Sequence, residues 1–427
     1  MARNFKDSQG RTVVAVTGTG LVSSLGWGKA ANWAQLKAGQ SGIKTITRFP
    51  TDGLRTTIAG TVTRADGQPP SSAPELTLEM AQSAANEALL EAGLTEANGF
   101  PGPLFVATPP AELEWPQRKA LYEHPCAQDL TGYDRLLAAA RSGAFKQMFE
   151  NFQFATVADH LAVALRPRGL PISVSTACAS GASAIQLGVE AIRRGDTDTA
   201  LAIGTDSSVQ LEALIRFSLL SALSTRNDPP DRASRPFSKS RDGFVMAEGA
   251  GALVLESLES ALARGAKCIG IVRGCGEMAD DYHRTRSKPD GTAIIGAIRN
   301  AMLDAGAAPE EIDYVNAHGT STPENDKMEY LSLKAVLGDH LEATPVSSNK
   351  SMIGHTLSAA GAIEAVLSFM MMENGLLLPT INYDEPDPDI PLDVVANAAR
   401  RGVIKTVLSN SFGFGGQNAA LVLAAAD

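Results

Sequence analysis

Cys178 stands in Val174-Ser175-Thr176-Ala177-Cys178-Ala179-Ser180-Gly181-Ala182, where β-branched residues give way to small ones. The pattern reads as a strand, a tight turn, and a helix that begins at or just after the cysteine. The positive end of a helix and its unpaired N–H groups favour a thiolate, the nucleophilic form of cysteine. Small neighbours leave the sulfur reachable. Cys126, Cys268 and Cys275 have no such setting and read as packing residues, the ordinary role of a free cysteine.

Two histidines have comparable settings. His318 lies in Val315-Asn316-Ala317-His318-Gly319-Thr320-Ser321-Thr322-Pro323, where a strand ends at the imidazole and Pro323 opens the next helix. His355 closes Asn349-Lys350-Ser351-Met352-Ile353-Gly354-His355, just before a helix that carries Glu364. His124, His160, His283 and His340 lack this framing and read as ordinary core or surface residues. A third loop, Asn410-Ser411-Phe412-Gly413-Phe414-Gly415-Gly416-Gln417-Asn418, is rich enough in glycine to bring backbone N–H groups close to a ligand.

A cysteine protease also combines Cys with His, but needs a base that takes the thiol proton and later protonates an amine. Two histidines and a lysine suit a different chemistry, in which they donate hydrogen bonds to a thioester carbonyl as negative charge collects on it.

These groups need elements to position them. Short β-branched runs at 13–17, 104–107, 172–176, 199–204, 252–256, 269–273, 314–317, 406–409 and 419–423 predict strands. Helical patterns cover 76–92, 179–194, 291–305, 325–337 and 358–372, the first stopped by Gly93. The alternation predicts a layered α/β fold. Segments 172–192 and 345–365 look like copies, matching Ala182-Ser183-Ala184-Ile185 with Ala360-Gly361-Ala362-Ile363, so that Cys178 and His355 each open a helix. The irregular 108–153 stretch, with Pro109-Pro110, Trp115-Pro116 and His124-Pro125, reads as short helices and loops forming a cap or subunit contact.

Composition excludes several classes. The 427 residues are 44% hydrophobic and 20% charged, as in soluble globular chains. No apolar run reaches the roughly 20 residues of a membrane span, and the polar start has no secretory pattern, so a cytoplasmic location is expected. The cysteines form no CxxC pair, which argues against a zinc site and a disulfide framework. A net charge of -10 argues against nucleic acid as partner.

Taken together, Thr176 to Gly181, Arg235-Pro236-Phe237 with Arg241-Asp242-Gly243-Phe244, Asn316 to Pro323, Lys350 to His355 and Ser409 to Asn418 resemble the elongating, type II β-ketoacyl-[acyl carrier protein] synthases. The motifs recur in family order from about residue 12 to 425. The resemblance implies a thiolase-like α-β-α-β-α sandwich of two similar halves, at 1–262 and 263–427, each with a mixed five-stranded sheet, and a homodimer. It also implies a Cys178-His318-His355 triad, since the initiating branch of the superfamily has Asn where this chain has His355.

By the same resemblance, Cys178 takes an acyl group from a carrier thioester, with the N–H groups of Cys178 and Phe414 holding the oxyanion. Malonyl carrier follows, His318 and His355 stabilise the enolate left by decarboxylation, and the carbanion attacks the acyl thioester. Lys350 and Glu364 order the site, supported by Asp326 and Glu329. Thr320, Thr322 and Phe412 meet the pantetheine arm, while Phe414 and Asp280 belong to gating loops. No metal or organic cofactor is implied, and the partner is an acyl carrier protein.

The chain departs from the family pattern in two places. The family's basic run before the first long helix is replaced by Ala73-Pro74-Glu75-Leu76-Thr77-Leu78-Glu79-Met80, so carrier docking must use other residues, with Arg226 a candidate. The 108–153 stretch lacks the usual glycine-rich loop, which points to a specialised paralogue with its own carrier. Two rival readings remain: a non-catalytic chain-length-factor-like subunit or polyketide-type ketosynthase, and a dinucleotide-binding oxidoreductase hinted at by Gly18-Thr19-Gly20. The second lacks the third glycine, replaced by Ser23, and any acid between Gly26 and Thr51.

Overall fold

The computed structural model describes residues 5–64, 66–70, 72–94 and 99–426. Ten strands, rich in β-branched and small residues, build the frame. The first five are β1 (Val14–Ser23), β2 (Leu104–Ala107), β3 (Ile172–Val174), β4 (Thr199–Asp206) and β5 (Gly249–Ser257). The rest are β6 (Gly270–Ala279), β7 (Tyr314–Asn316), β8 (Pro345–Ser347), β9 (Thr406–Phe412) and β10 (Gln417–Ala425).

Hydrogen-bonded neighbours run β3-β2-β4-β5-β1 in the first set and β8-β7-β9-β10-β6 in the second. In each set the first two pairings are parallel and the last two antiparallel. One five-strand connectivity therefore occurs twice, and Asp393–Val394 adds a parallel strand outside β8 in the second set. Strands β1 and β6 pair antiparallel from Val14 opposite Val272 to Val16 opposite Gly270, which joins the sheets edge to edge. Residues 1 and 427, the outer limits expected for the two units, lie outside the described residues.

The helices that matter for the site are α1 (Ala73–Ala92), α2 (Ser180–Arg193), α3 (Leu211–Leu219), α4 (Thr292–Ala305), α5 (Pro323–Leu337) and α6 (Ala360–Asn374). Helix α1 covers the first sheet, α4 covers the second and packs on α5, and α2 and α6 pack on each other between the sheets. The apolar cores follow these layers. Leu76, Met80, Leu104 and Leu161 fill the first outer layer, Ile185, Ile363 and Phe369 the centre, and Ile294, Ile298 and Leu333 the second outer layer. Each such buried side chain contributes roughly 1.5–3 kcal/mol.

Several boundaries move from the sequence expectation. Helix α1 starts at Ala73 rather than 76, because Ser72 accepts from Glu75 N–H and Pro74 suits a first turn. Strand β1 runs on to Ser23 instead of stopping at 17. Gly18 and Gly20 stay within it because α1 presses on them: an added Cβ would lie 1.9 Å from the carbonyl oxygens of Ala88 and Ala84 respectively. The Gly-Thr-Gly run is thus a helix-packing device, and it forms no turn at which a pyrophosphate could sit, which removes the oxidoreductase reading. The 108–153 stretch does fold as short helices, at Trp115–Tyr122, Gly132–Arg141 and Lys146–Asn151.

Candidate active site

Helix α2 begins at Ser180 with Ala179 as its cap, so Cys178 sits one residue outside the helix rather than opening it. Ala177 just before it has φ +50°, a left-handed conformation costing on the order of 1–2 kcal/mol in a residue with a Cβ. Ser180 holds this turn closed: its Oγ accepts from Thr176 N–H at 2.8 Å and donates to the Ala177 carbonyl at 2.6 Å.

The same turn recurs before α6, where Leu357 has φ +45°. Helices α2 and α6 meet at Gly181 and Gly361, where an added Cβ would lie 2.5 Å from Ala362 N and 2.6 Å from Ala182 N. Ala177 therefore corresponds to Leu357, and Gly181 to Gly361. This corrects the sequence match by two residues. Ser358, not His355, is the counterpart of Cys178, and its N–H donates to Asp206 Oδ2 at 3.0 Å.

His355 nonetheless reaches the sulfur, with Nε2 3.1 Å from Cys178 Sγ. The His318 and His355 rings meet edge to face with centroids 5.2 Å apart. One ligating atom from each of Cys178, His318 and His355 falls within 4.8 Å of the others. The Phe414 N–H reaches the same sulfur. Among the described residues His355 Nδ1 is buried with no partner, so no carboxylate among them orients that ring as a protease triad would require.

Supporting residues pin each group from behind. The Glu329 carboxylate accepts from the N–H groups of His318 and Gly319 at 2.8 and 2.7 Å and from Asn410 Nδ2 at 3.1 Å. Asp326 accepts from Phe237 N–H at 2.8 Å and Ser321 N–H at 3.2 Å, tying the Arg235-Pro236-Phe237 motif to the His318 loop. Lys350 Nζ lies 3.4 Å from His318 Nδ1 and donates to Glu364 Oε1.

Burial dominates the electrostatics. It pushes the Cys178 thiol up to about 11, against the opposing pull of the Phe414 N–H and the Lys350 charge. The helix-tip activation expected from sequence is therefore outweighed by desolvation. Burial also holds both imidazoles well below the usual histidine range, helped by Lys350 and, for His318, by His355. Both are therefore neutral at pH 7, and the His318 ring also hydrogen-bonds the Phe412 backbone. Burial raises Glu364 and Glu329 to about 7 and Asp206 to about 6.

Thr320, Thr322, Phe217, Phe244, Leu357 and Phe414 enclose a chamber of about 40 Å³ around the sulfur and imidazoles. An outer cavity of about 530 Å³ shares Thr322, Asn325 and Phe414 with it, and adds Phe412 and Asp280. The Asp280 N–H donates to the Gly416 carbonyl at 2.7 Å, which fastens the 280–288 loop to the loop of Phe414. Phe412 stacks edge-on against His318 at 5.6 Å. Arg226 is exposed but does not line either cavity.

Sequence reasoning missed the roles of Ser180, which lies inside the Thr176 to Gly181 motif, and of Asp206, which lies in none of the motifs. Cys126, read as a packing residue, is in fact exposed beside His124. By donor type Cys178, His318 and His355 would also suit a metal ion, but the Lys350 cation at the same point opposes a second positive charge. Among the described residues, the buried oxygens Asn316 Oδ1, Asn410 Oδ1 and Glu364 Oε2 have no hydrogen-bond donor.

Comparison with known proteins agrees with this geometry. Residues 11–261 match the family described as "Beta-ketoacyl synthase, N-terminal domain", and residues 269–384 the one described as "Beta-ketoacyl synthase, C-terminal domain". The chain is 37% identical to the 3-oxoacyl-[acyl-carrier-protein] synthase 2 of Coxiella burnetii, over 96% of this chain and 98% of that protein. The crystal structure of a β-ketoacyl synthase from Burkholderia phymatum superposes with a TM-score of 0.83 at 32% identity, covering 97% of this chain and 100% of that one. A chain of the structure described as "type II PKS acyl-carrier protein in complex with its ketosynthase bound to the hexaketide" gives 0.82 at 31% identity, with coverage of 98% and 100%. The thiolase-like architecture implied by the motifs thus holds along the whole fold, and the chain belongs to the β-ketoacyl synthase family of condensing acyltransferases.

Proposed function

We infer that this protein catalyses the decarboxylative condensation of an acyl thioester with malonyl-[acyl carrier protein] in fatty acid chain elongation. The observation that carries the reading is the gathering of the Cys178 sulfur, two neutral imidazoles and the Phe414 N–H at one buried point. Names and complexes among the relatives support an acyl carrier as the partner.

In the first half-reaction the Cys178 sulfur attacks the acyl carbonyl carbon, and its proton passes to the departing carrier sulfur. The Cys178 and Phe414 N–H groups stabilise the tetrahedral oxyanion. In the second, the malonyl carboxylate leaves as CO2 and its electron pair forms a thioester enolate, held by N–H donors of His318 and His355. The enolate carbon then bonds to the acyl carbon, the C–S bond breaks, and the sulfur leaves as thiolate and is reprotonated. Thr320, Thr322 and Phe412 line the path of the arm, Phe414 and Asp280 gate it, and Lys350, Glu364, Glu329 and Asp326 hold the donors in place.

The expected setting is cytoplasmic, with units at 1–262 and 263–427 in a homodimer. The outer edge of β3 and the exposed Trp115, Tyr133, Phe149 and Leu170 support a second copy as the covering partner. A polyketide-type role is the second reading, favoured by the likeness to the polyketide complex. Intact-mass analysis after mixing with acyl carriers, followed by malonyl carrier, tests both. Loading of Cys178 and one condensation per acyl unit fit elongation, repeated condensation fits the polyketide role, and no loading from any carrier overturns both.

A further inference from the structure

Resting on the carrier-dependent reading above, we propose that the acidic face of the carrier docks on a cationic rim formed by Arg284, Arg286 and Lys327, instead of at the start of α1. All three side chains are exposed and line the outer cavity that leads to the Cys178 chamber. Among the described residues the ion pair on this loop joins Lys288 to Asp290 at 3.4 Å, which leaves Arg284 and Arg286 unpaired. In a chain of net charge -10, free cations collected at one opening mark a place built for an anionic partner.

The acids at the same opening have partners within the protein. Asp280 accepts from the N–H groups of Tyr282 and Lys288 at 2.9 and 2.8 Å. Asp242 accepts from Ser224 Oγ at 2.7 Å and Thr225 N–H at 3.1 Å. Glu324 stands in the first turn of α5, where the helix end offsets its charge. An apolar edge completes the rim. Leu220 lines the cavity, Leu219 beside it is 80% exposed, and Tyr282 is 54% exposed. Cations beside exposed apolar side chains match a carrier helix that mixes carboxylates with apolar residues.

At the start of α1 the opposite holds. Arg64 is taken up by Asp66, Glu75 and Glu79 at 3.7, 3.4 and 2.7 Å, and the helix offers no other cation there. The rim also sits on the gate. Gly415 N–H donates to the Arg284 carbonyl at 2.8 Å, so a partner pulling on the arginine loop pulls on the backbone beside Phe414.

The test compares loading of Cys178 from an octanoyl-carrier, using whichever of several bacterial acyl carrier proteins loads the wild type best, with loading from octanoyl-CoA and octanoyl-pantetheine. The double variant Arg284→Glu, Arg286→Glu is expected to lose at least 10-fold in kcat/KM for the carrier, and at least five times less for octanoyl-pantetheine. Its carrier rate also becomes less sensitive to salt. Equal losses on all three donors would make the arginines structural supports of the gate, and no loss on the carrier would place docking elsewhere; either result overturns the proposal. A loss shared by carrier and octanoyl-CoA but not octanoyl-pantetheine would assign the anion to the arm's phosphate and overturn carrier docking. Wild type that loads from octanoyl-pantetheine but from no carrier overturns it too, while wild type that loads from no donor defeats the underlying functional reading instead.

Discussion

Lys350 Nζ lies 3.4 Å from His318 Nδ1 while donating to Glu364, with all three side chains buried. An ammonium group has only hydrogens to offer, so His318 Nδ1 must accept and Nε2 keeps the proton. The lysine thus leaves the His318 proton on Nε2. Its charge also lowers the proton affinity of both imidazoles.

Replacing Lys350 by Met is expected to slow CO2 release from malonyl carrier about 100-fold or more, a loss in the range of a removed oxyanion donor. The acid limb of the rate profile moves to higher pH, because the imidazoles regain proton affinity. Stability falls by about 3–5 kcal/mol as Glu364 loses its buried partner. The double variant Lys350→Met, Glu364→Gln recovers most of that stability in urea titration but not the rate. Recovery of both would reduce the lysine to a structural role.

Alkylation of Cys178 by iodoacetamide is expected to climb with pH through 9 without levelling near neutrality, because burial holds the thiol up to about 11. Intact mass over a pH series reads this directly. A plateau by pH 7 would mean that the resting site holds a thiolate with an imidazolium.

Asp206 links the catalytic elements to stability. Its buried carboxyl is raised from 3.8 to about 6, so between those values the folded chain holds a proton that the unfolded chain has lost. Its contribution is therefore present below about pH 4 and disappears as pH rises through 6, a swing on the order of 3 kcal/mol. Asp206→Asn removes that swing. In paired unfolding titrations at pH 4.5 and 7.5, the wild type should lose stability relative to the variant at the higher pH, and parallel behaviour would contradict the assignment. The variant should also alkylate faster at Cys178, since the Asp206 charge helps hold the thiol up.

Gly361→Val should prevent native packing of α2 against α6, since even a Cβ would lie 2.6 Å from Ala182 N and 2.9 Å from Ser411 Oγ. Overpacking usually costs about 1–3 kcal/mol, and here the obstruction is backbone that cannot rotate away. Gly402→Ala meets its nearest atom at 3.6 Å and serves as the tolerant control. Equal melting temperatures for the two variants would rule out the close approach.

Much of the site was legible because each reactive residue lies in a short motif at the end of an element. Cys178, His318, His355, Lys350 and the Phe414 loop could be picked out from small residues, a proline and glycines placed beside them. Asp206 could not, because its role depends on Ser358, which it meets only after folding, whereas Ser180 acts on the local turn at Ala177 and only its role, not its place, was hidden. The two-residue error in matching the repeats has a similar cause. Ala-rich helices look alike along the chain, and only Gly181 against Ala362 and Gly361 against Ala182 reveal the true register.

Residue types and their order were enough to determine the kind of chemistry and the alternation of strands and helices, since these depend on local pattern. Tertiary structure decided whether the sulfur rests as thiol or thiolate, which histidine touches it, that Gly18 and Gly20 serve packing, and which cations remain free at the opening. Each of those turns on desolvation or on contacts between residues far apart in the chain, and neither quantity exists until the two sheets close on α2 and α6.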